Sequence, residues 1–364
     1  MSDQLQLRRD TLANIQAAIP AQGELAYATD TKRLYIGDGA TAGGNSLMPG
    51  TLAGALGIIP YLPPPQGRLT LTSNTPVMTS DAVGATTIYY TPYLGNIAPL
   101  YNGTLFLPSI FVQTSVTLDA TDTLASKVYD LFLFLNSGVV QLGYGPAWST
   151  TTARGTGAGT TQIGATAGLW TNSNSITLRW DSSHTATVPA NQALYVGSFY
   201  APANGQTTMN FNPAAAVRTA PAVMGLYNAY NRLRSICTEA DSSTSWTYAT
   251  GTFRAANSNN NNSIQFVDGL AQSFLSAKYF STFQSSGAAT GYASVGYDTT
   301  STTTGRGQST YFQSNSTSVL AGAGVLETTP NLGLHQIYAI ELASPTVTFY
   351  GSGVAMQLSV SLEM

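Results

Sequence analysis

Val128-Tyr129-Asp130-Leu131-Phe132-Leu133-Phe134-Leu135 is almost continuously apolar, the pattern of a strand buried on both faces or at a chain–chain contact. Shorter runs around it alternate with period two, as in Arg68–Thr72 and parts of Ser109–Leu118, and the strand signal returns at Ser175–Trp180 and Ala193–Tyr200. Turn residues separate them at Ser73-Asn74, Asn102-Gly103, Ser137-Gly138, Asn172-Ser173-Asn174 and Asn204-Gly205. Many short strands at this spacing predict a jelly-roll-like β-sandwich over residues 68–212.

Beyond it, Val223, Leu226, Tyr227, Tyr230 and Leu233 recur at helical spacing, with Arg232 and Arg234 near the end where they would oppose a helix dipole. This predicts one helix within a 213–240 connector. Residues 241–364 return to strand signals at Ser245–Tyr248, Ile264–Val267, Lys278–Gln284, Tyr292–Tyr297, Gln336–Leu342, Thr346–Tyr350 and Ala355–Ser361. They predict a second, distal sandwich, with polar loop tips at Asn257–Asn262 and Thr299–Thr304. Upstream, Pro63-Pro64-Pro65 and scattered glycines make 51–67 a stiff linker. Residues 1–50 read as a small unit: a short helix capped by Asp10 or Thr11 and ended by Pro20, then a hairpin of Glu24–Ala28 and Arg33–Ile36. The fold class is therefore mainly β.

Composition narrows function. Charged residues are 9% of the 364, against a usual share of about 25%. Tyrosines number 20 against 14 Lys plus Arg, and net charge is −3. No basic stripe exists to follow a nucleic-acid backbone. The single cysteine, Cys237, has no internal partner for a disulfide, and a bland buried thiol is the expectation. Residues 1–11 lack the apolar core of a signal peptide, and no run reaches the length of a membrane span, so membrane insertion is not expected. A virion-surface part assembled in the host cytoplasm and released by lysis fits this combination.

The strings Gln6-Leu7-Arg8-Arg9 and Gly23-Glu24-Leu25-Ala26-Tyr27-Ala28-Thr29-Asp30-Thr31-Lys32-Arg33-Leu34-Tyr35-Ile36-Gly37-Asp38-Gly39 resemble a module recurrent near the N-termini of bacteriophage fibre and receptor-binding proteins. The module is similar to the N-terminal domain of the phage major tropism determinant. The resemblance implies a trimeric, particle-anchoring segment without catalysis. It assigns the anchoring role to Arg8, Arg9, Gly23, Glu24, Tyr27, Asp30, Thr31, Leu34, Ile36, Gly37, Asp38 and Gly39. It also implies a homotrimeric fibre whose module meets other virion proteins of the tail, baseplate or capsid. Segments Gly67–Thr72, Ile88–Tyr93, Gly333–Glu341 and Thr348–Gly351 also resemble stretches of tailed-phage virion proteins.

Reactive chemistry finds little support. Gly37-x-Gly39-x-x-Ala42 imitates a dinucleotide fingerprint, but Gly43-Gly44-Asn45 follows where a helix should begin, so a turn is expected. Gly155-x-Gly157-x-Gly159 has no lysine and reads as a mobile loop. His184 and His335 have no metal-ligand spacing, and no serine sits in a nucleophile elbow. Asp119 and Asp122 share a polar turn; Asp241, Asp268 and Asp298 are scattered, so a polysaccharide depolymerase with paired carboxylates is only an alternative reading. A capsid head fibre or decoration protein is another. No catalytic residue, cofactor or metal is expected. The aromatics fit adhesion better, because Tyr and Trp stack on sugar faces at small entropic cost. Trp246, Tyr248, Tyr292, Tyr297 and Tyr311 form the expected contact set for a host polysaccharide or protein receptor, acting multivalently from three copies.

Overall fold

The structure, a computed structural model, describes residues 7–31, 33–47, 62–156, 162–213, 219–285, 287–303, 307–314 and 318–364, with backbone alone for 307–314, 353 and 354. The chain divides into two compact units, Met1–Leu62 and Pro63–Met364.

In the first unit a four-stranded sheet runs Arg8–Asp10, Leu25–Ala28, Arg33–Ile36, Asn45–Ser46. The helix Leu12–Gln16 is capped by Thr11, whose hydroxyl accepts from Asn14 N, as the sequence predicts. Its buried Ile15 packs on Ala26, Ala28 and Tyr35, with Leu12 against them.

The second unit is built on two large sheets. The double-sided strand is real: Lys127–Asn136 is buried from Val128 to Phe134. It lies between Leu194–Ala201 and Val139–Ala147, both antiparallel, near the middle of an eight-stranded sheet. A fourteen-stranded sheet takes in the later part of the chain, from Arg234–Glu239 through Met356–Glu363 and Leu275–Gln284 to Ser263–Asp268. Phe283, Ala289, Ala343, Val347 and Phe349 come from well-separated strands of that sheet yet form one core, so the sheet folds back on itself.

The predicted helix is absent. Residues 222–224 and 226–228 are short strands, followed by Arg234–Glu239; residues 214–218 lie outside the description. Every residue from Ala222 to Ala229 is buried, so the helical spacing of Val223, Leu226 and Tyr227 marked no face. Gly225 separates the two strands where an added Cβ would lie 2.6 Å from Thr208 O. Arg232 and Arg234 serve no helix end; they donate to Tyr227 Oη at 3.3 Å and Ser361 Oγ at 2.6 Å.

The expected boundaries at 212 and 241 are not seen either. Ala82–Ala85 pairs with Thr207–Met209, which pairs with Ala222–Met224, which runs parallel to Ser263–Asp268. One core joins Val128, Phe132 and Tyr195 to Val223, Tyr227 and Val267. The predicted sandwiches therefore share a sheet and a core. Likewise, residues 63–67 belong to this unit rather than to a linker: Asn231 Nδ2 donates to Pro65 O at 2.7 Å and Gly67 O at 3.0 Å. Residues 51–61 of the expected linker, and 157–161 of the glycine-rich loop, lie outside the described residues.

Candidate functional site

The N-terminal unit is shaped by the residues that carried the resemblance. Asp30 Oδ1 accepts from Leu12 N at 2.9 Å, tying the hairpin turn to the first turn of the helix. Asp38 accepts from Ala40 N, Thr41 N, Thr41 Oγ1 and Asn45 Nδ2 at 2.6–3.0 Å. Those bonds hold its carboxyl well below the ordinary range, the Thr41 hydroxyl contributing most. The Gly37–Gly39 stretch is thus a carboxylate-organised turn, not a phosphate cradle. Glu24 closes the other side, accepting from Ala21 N at 2.9 Å and facing Arg8 at 4.0 Å. Gly23 and Gly39 hold φ of +81° and +75°, which side chains disfavour.

Pairing sorts the hairpin into two faces. Ala26 opposes Tyr35 and both point into the core, while Leu25 opposes Ile36 and Tyr27 opposes Leu34 on the outside. Leu25, Tyr27, Leu34 and Ile36 are only half-buried, and exposed Arg9 stands beside Tyr27. The outer face of the hairpin is thus apolar, half-open and flanked by an arginine. Gly37 is a packing requirement: a Cβ there would clash with Ala21 O and lie 2.8 Å from Pro20 Cβ. Gly37→Ala is expected to open this unit to protease while Pro63–Met364 keeps its melting temperature; limited proteolysis with mass mapping checks it.

Of the distal aromatics, the structure brings two together. Trp246 and Tyr248 share one face of the Ser245–Tyr248 strand. Trp246 Nε1 donates to both oxygens of Glu341, at 3.0 and 2.8 Å. Arg254 donates to Glu341 Oε1 through Nε and Nη2, at 2.9 and 2.8 Å, and lies 3.7 Å over the Tyr248 ring. Phe253, next in sequence, meets Tyr292 edge-on at 6.2 Å. Tyr297 stands apart, about 16 Å further along its strand, against His335 at 5.0 Å. His335 Nδ1 in turn contacts Asp298 Oδ2 at 2.7 Å. Tyr311 pairs with Tyr292 by backbone, and its side chain lies outside the described residues. Trp246 and Tyr248 commit their polar groups to Glu341 and to Thr252 O, and both rings pack against the Phe283–Phe349 core.

The sequence match is confined to the N-terminal unit. Residues 5–41 match the family model described as "Major tropism determinant N-terminal domain". The N-terminal segment is of the major tropism determinant type. No curated protein sequence matches the chain significantly. Among solved structures it aligns with the Major Tropism Determinant P3c variant at 20% identity over 61% of this chain and 42% of that one, TM-score 0.21. For the U1 variant the figures are 18%, 72%, 56% and 0.23. An insecticidal delta-endotoxin, Cry8Ea1 from Bacillus thuringiensis, aligns at 5% identity over 82% of this chain and 51% of that one, TM-score 0.21. Superpositions this loose carry no argument about shared architecture. The alignments span about half of those chains or less.

Beyond the tropism-determinant-type module, sequence reading missed how the carboxylates are used. The Asn257–Asn262 loop keeps Ser258 and Asn260 exposed but turns two side chains inward. Asn257 and Asn262 donate to buried Asp241 at 3.1 and 2.9 Å, replacing the water a carboxylate requires. Asp268 accepts from Leu270 N and Ala271 N at 2.9 and 2.8 Å. Asp119 accepts from Thr121 N and Oγ1, each at 2.7 Å. His184 is exposed and pairs with Asp181 at 2.7 Å, as a loop histidine should. Cys237 is buried, also as expected. Among the described residues no group of three or more His, Cys, Asp or Glu could hold a metal ion.

Proposed function

We propose that this chain is a receptor-binding protein of a phage virion, working as a homotrimer. The match of residues 5–41 to the tropism-determinant module carries the reading. The half-exposed Leu25, Tyr27, Leu34 and Ile36 face gives the module an apolar surface to bury in the particle. The Pro63–Met364 unit then meets the host. Its binding is adhesive, without a catalytic step, and three weak sites acting together raise avidity by about two orders of magnitude or more over one.

The test is adsorption. Purified full-length protein is expected to run near three times its 38.1 kDa chain mass by light scattering, and to compete with phage for host cells. Virions carrying Gly37→Ala are expected to lose the protein, while the purified variant still coats cells. A monomeric mass, or full-length protein that leaves adsorption unchanged, would overturn the reading. Immunolabelled micrographs of the particle separate a tail position from a capsid one.

A further inference from the structure

The second unit holds a pocket of about 300 Å³ at the outer edge of the eight-stranded sheet, away from the Trp246 cluster in sequence and lined by different strands. Its walls come from the turn at Asp122, the strand Val139–Ala147 and the hairpin Ile176–Arg179/Thr185–Val188. That volume is at the small end for ligand pockets, the size of one ring rather than a peptide.

Its chemistry is mixed in a specific way. Arg179 Nη2 and Asp122 Oδ2 form an ion pair of 2.7 Å, with 22% and 44% of their side chains exposed. A donor fork beside an acceptor suits neighbouring hydroxyls on one ring. Asp122 neutralises that guanidinium, so the pair favours a neutral ligand over an anionic one. Tyr129 and Tyr144 meet edge-to-face at 5.9 Å and back the pocket; at 1% and 3% exposed they give it an apolar floor rather than an open ring face. Thr177 and Thr187 place hydroxyls 3.4 Å apart on the exposed rim.

We propose that this pocket binds one neutral pyranose ring of a host-surface glycan. The glycan's place on the host rests on the receptor-binding reading above; the sugar contact itself does not. The test titrates full-length protein with the methyl glycosides of glucose, galactose, mannose, rhamnose and N-acetylglucosamine, followed by ligand-observed NMR, with N-acetylneuraminic acid as the charged comparator. At least one neutral glycoside is expected to saturate with a Kd of about 1 mM, and the comparator to bind at least about tenfold more weakly. Thr187→Arg, at an exposed rim position, is expected to abolish saturation, and Thr177→Arg to do the same from the neighbouring strand. Both variants should melt like the parent.

Saturation undiminished in both arginine variants, tighter binding of the anionic sugar, or no saturation by any neutral glycoside would overturn the proposal. If the protein coats host cells yet binds no glycoside, the pocket proposal alone falls. If it binds a glycoside and ignores cells, the receptor-binding reading falls and the pocket stands. Cell binding lost in Thr187→Arg without glycoside binding would point to a protein receptor instead, and also overturns the proposal.

Discussion

Asp130→Ala is expected to lower the unfolding free energy by about 3–5 kcal/mol, the cost of stranding a buried charge. Asp130 is fully buried in the Lys127–Asn136 strand. Arg154 reaches it in a fork, Nε to Oδ2 at 2.7 Å and Nη2 to Oδ1 at 3.0 Å. Ser198 Oγ adds a bond to Oδ1 at 2.6 Å. The same guanidinium donates to Gly269 O at 2.6 Å and lies 4.3 Å from the Trp148 ring centre. Three distant stretches therefore converge on one carboxylate. Without it, the guanidinium keeps its desolvation cost and loses its counter-charge. Urea unfolding should show a lower midpoint with an unchanged slope. The double variant Asp130→Leu/Arg154→Met should recover more than half of the loss, because removing both charges removes the cost of burying them. A single-variant loss under about 1 kcal/mol would contradict this account.

Stability is expected to fall between pH 5 and pH 8 by about 2–3 kcal/mol on account of Glu341 alone. Burial pushes this carboxyl up to about 7, with the Trp246 N–H and the Arg254 guanidinium pulling the other way. The unfolded chain releases the proton near 4.5, the ordinary value, whereas the folded chain keeps it until about 7. The folded state therefore binds more protons across that window, and raising pH through it favours unfolding. Glu341→Gln keeps an acceptor for Trp246 and Arg254 and should flatten the profile. Arg254→Met should cost more at pH 8 than at pH 5, since the charged carboxylate then has no cation. Denaturant melts at the two pH values for the three proteins decide it; an unchanged slope in Glu341→Gln would rule the mechanism out.

Much of the fold was legible because its signals are local. The apolar run at Val128–Leu135 could hardly be hidden, and the Thr29–Lys32 turn between alternating residues fixed the N-terminal hairpin. What failed did so for tertiary reasons. Residues 222–229 are apolar because both sides of their strands are covered, and a helical period drawn through such a run carries no information about a face. The Leu320–Thr328 strand, Leu-Ala-Gly-Ala-Gly-Val-Leu-Glu-Thr, passed unnoticed because glycine weakens strand signals. Gly324 is there for close approach: a Cβ would collide with the Ser294 backbone. The candidate sites divide the same way. Asp30 and Asp38 sit in turns legible from local sequence, while their candidate role came from the family resemblance. Glu341, Asp130 and the Asp122–Arg179 pair act through residues 24–95 positions away, and no spacing rule could reach them.

The strand Met356–Glu363 lies between Arg234–Glu239 and Leu275–Gln284 and hydrogen-bonds both along most of its length. A chain cut back before residue 356 would leave two unzipped borders facing each other across a gap one strand wide, ready to recruit foreign β-segments. The larger unit thus stays open along both borders until this late segment has been threaded between its neighbours, and a chain that lacks it is a candidate for aggregation.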